Sequence, residues 1–366
     1  MGLRVILMKL FQCQACQQII YFENTRCERC GHTLGFSPTS EAIYALDPVD
    51  GRWRSIVDPP QRYRFCENAQ HKSCNWLIED TSPEFLCVAC KHNRTIPDLT
   101  IETNINRWQR IETEKHRLFY SLLKHRLPLK TRAEDAEHGL AFDFLAAGGS
   151  AAGPKILTGH DNGLITIALE EADDVERERR RVNLHEPYRS LLGHFRHEIG
   201  HYYWDVLIKD QPGTLASYRA MFGDETRDYG SALQVYYQSG PPANWQDRFI
   251  SAYAASHPWE DWAETWAHYL HIVDTLEMAS AFSIRVRPRV QAESTLSSTI
   301  NLNPYGVDNF QMIIDDWLPL SFAMNSLNRA MGHMDLYPFV LSPAVIEKLG
   351  FVHSTIRSGR EIRGPG

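Results

Sequence analysis

No cysteine occurs after Cys90 in this 366-residue chain; all eight lie in the first quarter, and 276 residues follow without one. That distribution argues against a secreted body held together by disulfides. No apolar run approaches the ~20 residues needed to span a bilayer. The opening Met1–Phe11 segment is too short for a signal h-region plus cleavage site, so export by that route is not expected. Positive charge is not in excess either: 38 Lys+Arg stand against 45 Asp+Glu, for a net charge of −7 and a pI of about 6.1. A protein built mainly to coat nucleic acid is thereby disfavoured, although local basic patches stay open. Low-complexity tracts are missing, and so are internal repeats beyond the two cysteine clusters. What remains, at 43% hydrophobic and 23% charged residues, is an ordinary globular composition long enough for about two domains. A cytoplasmic location is expected.

The cysteines themselves are informative. Cys13-x2-Cys16-x10-Cys27-x2-Cys30 supplies four thiolates in two knuckles, the usual construction of a closed tetrahedral zinc site. The second quartet, Cys66-x7-Cys74-x12-Cys87-x2-Cys90, has one normal knuckle and one stretched pair. It reads as a second structural zinc site; reduced buried thiols, or a ligand set borrowing His71 or His92, remain alternatives. Neither quartet leaves a position for water, so neither is catalytic. Residues 11–36 read as one zinc ribbon, and turn signals at Asp47-Pro48, Asp50-Gly51 and Asp58-Pro59-Pro60 connect it to the second cluster.

Composition shifts near Ile96-Pro97-Asp98, and the domain boundary is placed at about 98–104, dividing the chain into 1–100 and 101–366. Apolar residues at helical spacing predict a helix from Asn106 to Leu127, ended by Pro128. Gly148–Pro154 reads as a turn. The β-branched run 163–169 reads as a strand, and Glu170–Arg181 is highly charged. Pro187 suits the start of a long helix through Ile208. After the turn Ser239-Gly240-Pro241-Pro242, a further helical stretch is expected over 246–276.

That long helix contains His197-Glu198-Ile199-Gly200-His201. Residues four apart share a helix face, so both imidazoles can point at one ion, and Glu198 can reach a water held beside it. A catalytic zinc needs a third protein ligand. Downstream, Trp259-Glu260-Asp-Trp-Ala-Glu264 puts two carboxylates at i and i+4 among tryptophans. One can bind the metal while the other holds a ligand histidine by its second ring nitrogen. Other features have plainer readings. His194 and His257 are left between packing and the cleft, and His268 and His271 read as packing or capping residues. Arg177–Arg181 reads as a solvated helix face, and the basic residues around 107–132 do not make a nucleic-acid site.

The pattern His197-Glu-x-x-His201 followed by Glu260-x-x-Ala-Glu264 resembles the gluzincin metallopeptidases. The resemblance implies that Glu260 is the third zinc ligand and Glu264 its outer-shell partner, with Glu264 the alternative ligand. Tyr253 stands seven residues before Glu260, as in the lethal-factor-like and Pro-Pro endopeptidase zincins, which implies an oxyanion donor there. Taken with the cysteine-rich N-terminus, His194–Trp204, Tyr253–Glu264 and Asn325–Met331, the whole chain resembles the bacterial zinc-binding metallopeptidases that carry an N-terminal zinc ribbon. The expected fold is α+β: zinc-ribbon modules followed by a mainly helical zincin-like domain with a small β-sheet, whose strand 163–169 would serve as the edge for an extended peptide. The expected activity is hydrolysis of a peptide or isopeptide bond. Zinc activates the water, Glu198 acts as general base and Tyr253 stabilises the oxyanion. One catalytic and two structural Zn2+ are expected, with a peptide or protein substrate and a protein partner recruited through the ribbon. The rival is a zinc-ribbon adaptor or nucleic-acid-associated protein on a non-catalytic zincin scaffold, which has no need of a base.

Overall fold

The computed structural model describes residues 10–146, 158–183, 190–289 and 296–361. The turn at Gly148–Pro154 and the helix start at Pro187 lie outside them. The class is α+β, as expected: a sheet-rich, cysteine-bearing N-terminal region precedes a mainly helical part. Strands β1 (Leu10–Gln12) and β2 (Ile19–Tyr21) form a hairpin. An antiparallel five-stranded sheet follows, in the order β3 (Thr33–Ser37), β4 (Ala42–Val49), β5 (Arg52–Ser55), β6 (Arg62–Phe65) and β7 (Leu77–Glu79). The reversal between β4 and β5 is made by Asp50 and Gly51 at positive φ, where the sequence carries its Asp-Gly signal.

The next strand, β8 (Asn93–Thr95), crosses into the second part. It pairs in parallel with β9 (Ala141–Leu145), which pairs in parallel with β11 (Leu164–Ala168); β10 (Gly159–Asp161) lies antiparallel outside β11. The strand expected over 163–169 is therefore β11, but it is internal, and the expectation that it forms an edge is corrected: the edges are β10, beside it, and β8, on the far side. The reason is local. Asn162 and Gly163 both adopt positive φ, 45° and 80°, the conformation an Asn-Gly pair takes in a two-residue hairpin. That turn folds β10 back over the outer side of β11.

Helix α1 (Glu102–Lys124) starts four residues before its expected position and ends where Arg126 turns to φ 54°. Its buried face, including Trp108, Ile111, Leu118 and Leu122, joins the two parts of the molecule. Tyr120 meets Phe22 of the ribbon region with ring centroids 5.4 Å apart, and its neighbour Ser121 donates to Asp274 at 2.7 Å on the other side. The basic residues of α1 are tied down in ion pairs: Arg107 with Asp173 at 2.6 Å, Arg117 with Glu23 at 2.6 Å and Lys124 with Glu41 at 2.7 Å. After α2 (Asp174–Asn183), α3 (Leu191–Trp204) begins at Ser190, whose Oγ accepts the Gly193 N–H at 3.0 Å. It continues as one π turn, Asp205–Lys209. Helices α4 (Pro212–Phe222) and α5 (Tyr229–Ser239) follow.

The helix expected over 246–276 begins only at Pro258; two short 3-10 turns occupy the residues before it. Proline has no N–H to give and a φ suited to the first helical position, so it starts α6 (Pro258–Ala281) instead of sitting within it. His257 caps that helix, its Nδ1 accepting the Trp259 N–H at 3.1 Å. The centre of α6 is buried nearly all round. Trp262, Trp266, Leu270, Ile272, Val273 and Leu276 are fully buried, and each aliphatic one stabilises the fold by roughly 1.5–3 kcal/mol. Helices α7 (Phe310–Ala330) and α8 (Pro343–Glu361) pack against it.

Candidate active site and metal centres

Among the described residues α3 packs against α6 more extensively than any other two helices do, and Gly200 makes the approach possible. A Cβ on Gly200 would stand 3.1 Å from Ala263 Cα and 3.2 Å from Trp266 Cβ. With no side chain there, Trp262 Nε1 reaches in and donates to the Gly200 carbonyl at 2.8 Å. The crossing aims the acidic face of α6 at the histidine face of α3. Glu260 Oε2 lies 3.0 Å from His197 Nε2, and Glu260 Oε1 lies 3.6 Å from His201 Nε2. One potential ligand atom from each of these three residues falls within 4.8 Å of the others. One turn along α6, Glu264 Oε1 meets the opposite nitrogen of His197, Nδ1, at 2.7 Å. Ser251 Oγ donates to Glu264 Oε2 at 2.6 Å, fixing that carboxylate in turn.

Burial shapes the electrostatics of this group. Burial opposes a charged imidazole at His197, yet the carboxylates of Glu260 and Glu264 hold its pKa well above the ordinary value. Burial likewise opposes the charge on Glu260, but the two imidazoles hold it well below the usual range. Glu264 is pulled down to about 2 against its own burial, chiefly by the hydrogen bond from His197. Glu260 Oε2 is buried without a well-aligned hydrogen bond, as is His201 Nδ1. Two imidazole nitrogens and one carboxylate oxygen, converging in a buried site, are the three-protein-ligand set of a catalytic zinc. The residues present fit that ion.

Glu198, next to His197 on α3, is half-buried and makes no hydrogen bond or ion pair among the described residues. Tyr253 faces the same group, its ring 6.0 Å from that of His197. Burial, and then the negative charge of Glu260, push the Tyr253 hydroxyl well above its ordinary pKa, so it stays a donor. The model of the family described as "Putative zinc-binding metallo-peptidase" matches residues 104–355, which hold all of these side chains. The chain belongs to this metallopeptidase family. A zinc-ribbon domain model matches residues 10–101. Uncharacterized proteins of Mycobacterium tuberculosis and Mycobacterium bovis are each 42% identical over 350 residues, 95% of this chain and 95% of theirs. No solved structure matches the chain.

In this family member both cysteine quartets assemble. Cys13, Cys16, Cys27 and Cys30 bring their sulfurs within 4.8 Å of one another, with Cys13–Cys30 at 3.6 Å and Cys16–Cys27 at 3.5 Å. Those separations approach the sulfur–sulfur edge of about 3.8 Å implied by Zn–S bonds of about 2.3 Å in a tetrahedron. Cys66, Cys74, Cys87 and Cys90 do likewise, with Cys74–Cys87 at 3.8 Å. Zinc binding is thus supported at three places: two thiolate clusters and the His/Glu group. Neither His71 nor His92 joins the second cluster. His92 Nδ1 pairs with the Leu140 carbonyl at 2.9 Å, and the His71 ring lies against Trp108.

The plainer readings also find their places. His194 sits 3.1 Å from Glu171, away from the metal-binding group, and His257 caps α6. His268 Nδ1 meets the Tyr337 hydroxyl at 2.9 Å, and the His271 ring stacks on Tyr337. Asn325 braces the backbone of Tyr337 with two hydrogen bonds, at 2.8 and 2.9 Å. Arg177 and Arg179 pair with Asp174 and Glu176 of their own helix; the side chains of Arg180 and Arg181 lie outside the described residues. Sequence reasoning missed Tyr229, which donates to Glu260 Oε1 at 2.7 Å. It also missed Trp259, whose ring covers His201 at 3.9 Å between centroids, and Ser251. A tyrosine 31 residues before the carboxylate it touches carries no local signal. Ser251, two residues before Tyr253, could have been suspected only as a capping hydroxyl.

Proposed function

We propose that the chain is a zinc-dependent peptidase that hydrolyses peptide or isopeptide bonds in a reducing, cytoplasmic setting. One observation carries the reading: Glu260 confronts both Nε2 atoms of the HExxH pair, Glu264 backs His197 through Nδ1, and the Glu198 carboxylate is left uncommitted. His197, His201 and Glu260 would hold the ion. Zinc bound there supplies a Lewis acid for the scissile carbonyl and a water acidic enough to be deprotonated near neutrality.

The remaining chemistry belongs to the chain. Glu264 fixes the His197 ring orientation and leaves Nε2 as the free donor nitrogen. Glu198 accepts the proton of the attacking water and passes it to the leaving amine. Tyr253, kept protonated by its surroundings, donates to the oxygen on which negative charge develops; losing such a donor typically costs ~10²–10³ in rate. Tyr229, bonded to Glu260, holds the orientation of that carboxylate. Strand β10 lies at the edge of its sheet and packs beside α3, so an extended substrate would pair with it, and not with β11. Eight cysteines with no disulfide among them match a reducing compartment. The two thiolate clusters stabilise the region that would receive a protein partner.

The test is mass-spectrometric identification of products from a proteome-derived peptide library. Wild type should yield defined cleavages that Glu198→Gln abolishes while keeping fold and metal content. Products that persist unchanged in Glu198→Gln, or a Glu198→Gln chain that fully complements a deletion, would point to the adaptor reading instead.

A further inference from the structure

Besides the Glu112 carboxylate, which lies 3.6 Å from Cys90 Sγ and is bonded to Lys115, the second cysteine cluster offers a metal five sulfur and nitrogen donors, one more than a structural zinc takes. The fifth is His116, from α1, beyond the cysteine-rich region in sequence. Its Nε2 lies 3.3 Å from Cys74 Sγ, 3.6 Å from Cys90 Sγ and 3.9 Å from Cys87 Sγ. Cys66 alone of the four makes no such contact with it. In a tetrahedron with Zn–S of about 2.3 Å and Zn–N of about 2.05 Å, the nitrogen–sulfur edge is about 3.6 Å, and the three observed distances straddle that value. We propose that the second metal centre is a Cys3His site, made by Cys74, Cys87, Cys90 and His116, which bolts the ribbon region to α1.

Two further observations support the imidazole. His116 Nδ1 lies 2.6 Å from the Glu112 carbonyl, an acceptor only, so Nδ1 carries the proton and donates it. That is the outer-shell bond a ligand histidine typically makes, and it turns the Nε2 lone pair toward the sulfurs. The catalytic-site histidine His197 is held by the same device, through Glu264. The second observation is enclosure. All five donors are buried, with Cys90 at 0% and His116 at 4% exposure. Four thiolates around Zn2+ would leave two negative charges in this interior, whereas three thiolates and a neutral imidazole leave one, and unpaired buried charge is costly. The nearest cation, Lys115, is already bonded to Glu112 at 2.8 Å and to Asn93. Cys66, whose sulfur accepts the Cys87 N–H at 3.4 Å, then stands outside the ligand set.

The proposal is independent of peptidase activity, and its test reads the metal directly. The full chain, stripped of metal under reducing conditions and loaded with 113Cd, should give one resonance in the four-sulfur region and one in the three-sulfur, one-nitrogen region, besides that of the His/Glu site. With 15N-labelled histidine, the second resonance should show coupling to a ring nitrogen that disappears in His116→Ala. By metal analysis, Cys66→Ser should keep the wild-type metal content, whereas His116→Ala, which leaves only Cys66 to complete the four, should hold the second ion more weakly. Two four-sulfur resonances without nitrogen coupling in the wild-type chain would overturn the proposal. So would Cys66→Ser losing an ion while His116→Ala keeps all.

Discussion

Glu260 and Glu264 differ by one helical turn, and their substitutions should separate them sharply. Glu264→Ala removes the 2.7 Å bond to His197 Nδ1 and leaves Ser251 Oγ without its acceptor. Both Nε2 atoms and Glu260 stay in place, so the ion should still bind, but to an imidazole no longer held in orientation. The expected loss is ~10–100-fold in affinity, or roughly 1.4–2.7 kcal/mol. Glu264→Gln retains a neutral acceptor and should fall between wild type and Glu264→Ala, because charge-assisted hydrogen bonds are roughly twice as strong as neutral ones. Glu260→Ala deletes the carboxylate that faces both imidazoles, and should leave the site empty at any zinc concentration that does not precipitate the protein. Competition titration against a chelator of graded strength measures all three. Added zinc should restore activity to the Glu264 variants and not to Glu260→Ala. If Glu264→Ala is the variant that cannot be reloaded, while Glu260→Ala is merely weakened, the assignment of the two acids is reversed and the reasoning fails.

Purified chain should carry about three zinc ions, and a chelator should strip the His/Glu-bound one first, since that site is open and the thiolate sites are closed; a ratio near one by elemental analysis refutes this. Gly200→Ala should cost ~1–3 kcal/mol in urea unfolding, because its methyl would press on Ala263 Cα across the α3–α6 crossing; an unchanged midpoint would show that the helices can part freely. Burial lowers the pKa of His268 from 6.5 to about 4. Between those values the unfolded chain binds the proton that the folded chain refuses, so stability falls as pH drops from 6.5 to 4. His268→Gln should flatten that part of the stability curve relative to wild type, and parallel curves would count against the shift. Tyr229→Phe should keep the metal while weakening its hold, as the Glu260 carboxylate loses one donor; identical metal release rates would remove Tyr229 from the site.

Much of the candidate site was legible in the chain because its information is local. Histidines four apart share a helix face on any helix, and C-x2-C spacing makes a knuckle wherever it folds. The α3 segment and the tryptophan-rich α6 segment both declare themselves as helices by pattern, though α6 begins at Pro258 and not at 246. The true starts depend on single capping side chains, Ser190 and His257, and on a proline that opens a helix instead of interrupting one. The position of β11 inside the small sheet escapes the pattern for a similar reason: Gly163 opens the β-branched run, but with Asn162 it forms the hinge of a hairpin.

The sequence by itself determined the donor inventory: eight cysteines in two quartets, two histidines on one helical face, and two acids one turn apart on another. It could not say which acid confronts the Nε2 atoms, because i and i+4 are equivalent on an isolated helix. The crossing of α3 and α6 at Gly200 decided that, through a backbone approach that only packing can set. Nor could spacing reveal that Tyr229 meets Glu260 or that His116 reaches the second cysteine cluster. Those contacts join residues 31 and 26 positions apart, and they exist only because the buried faces of separate elements had to cover one another.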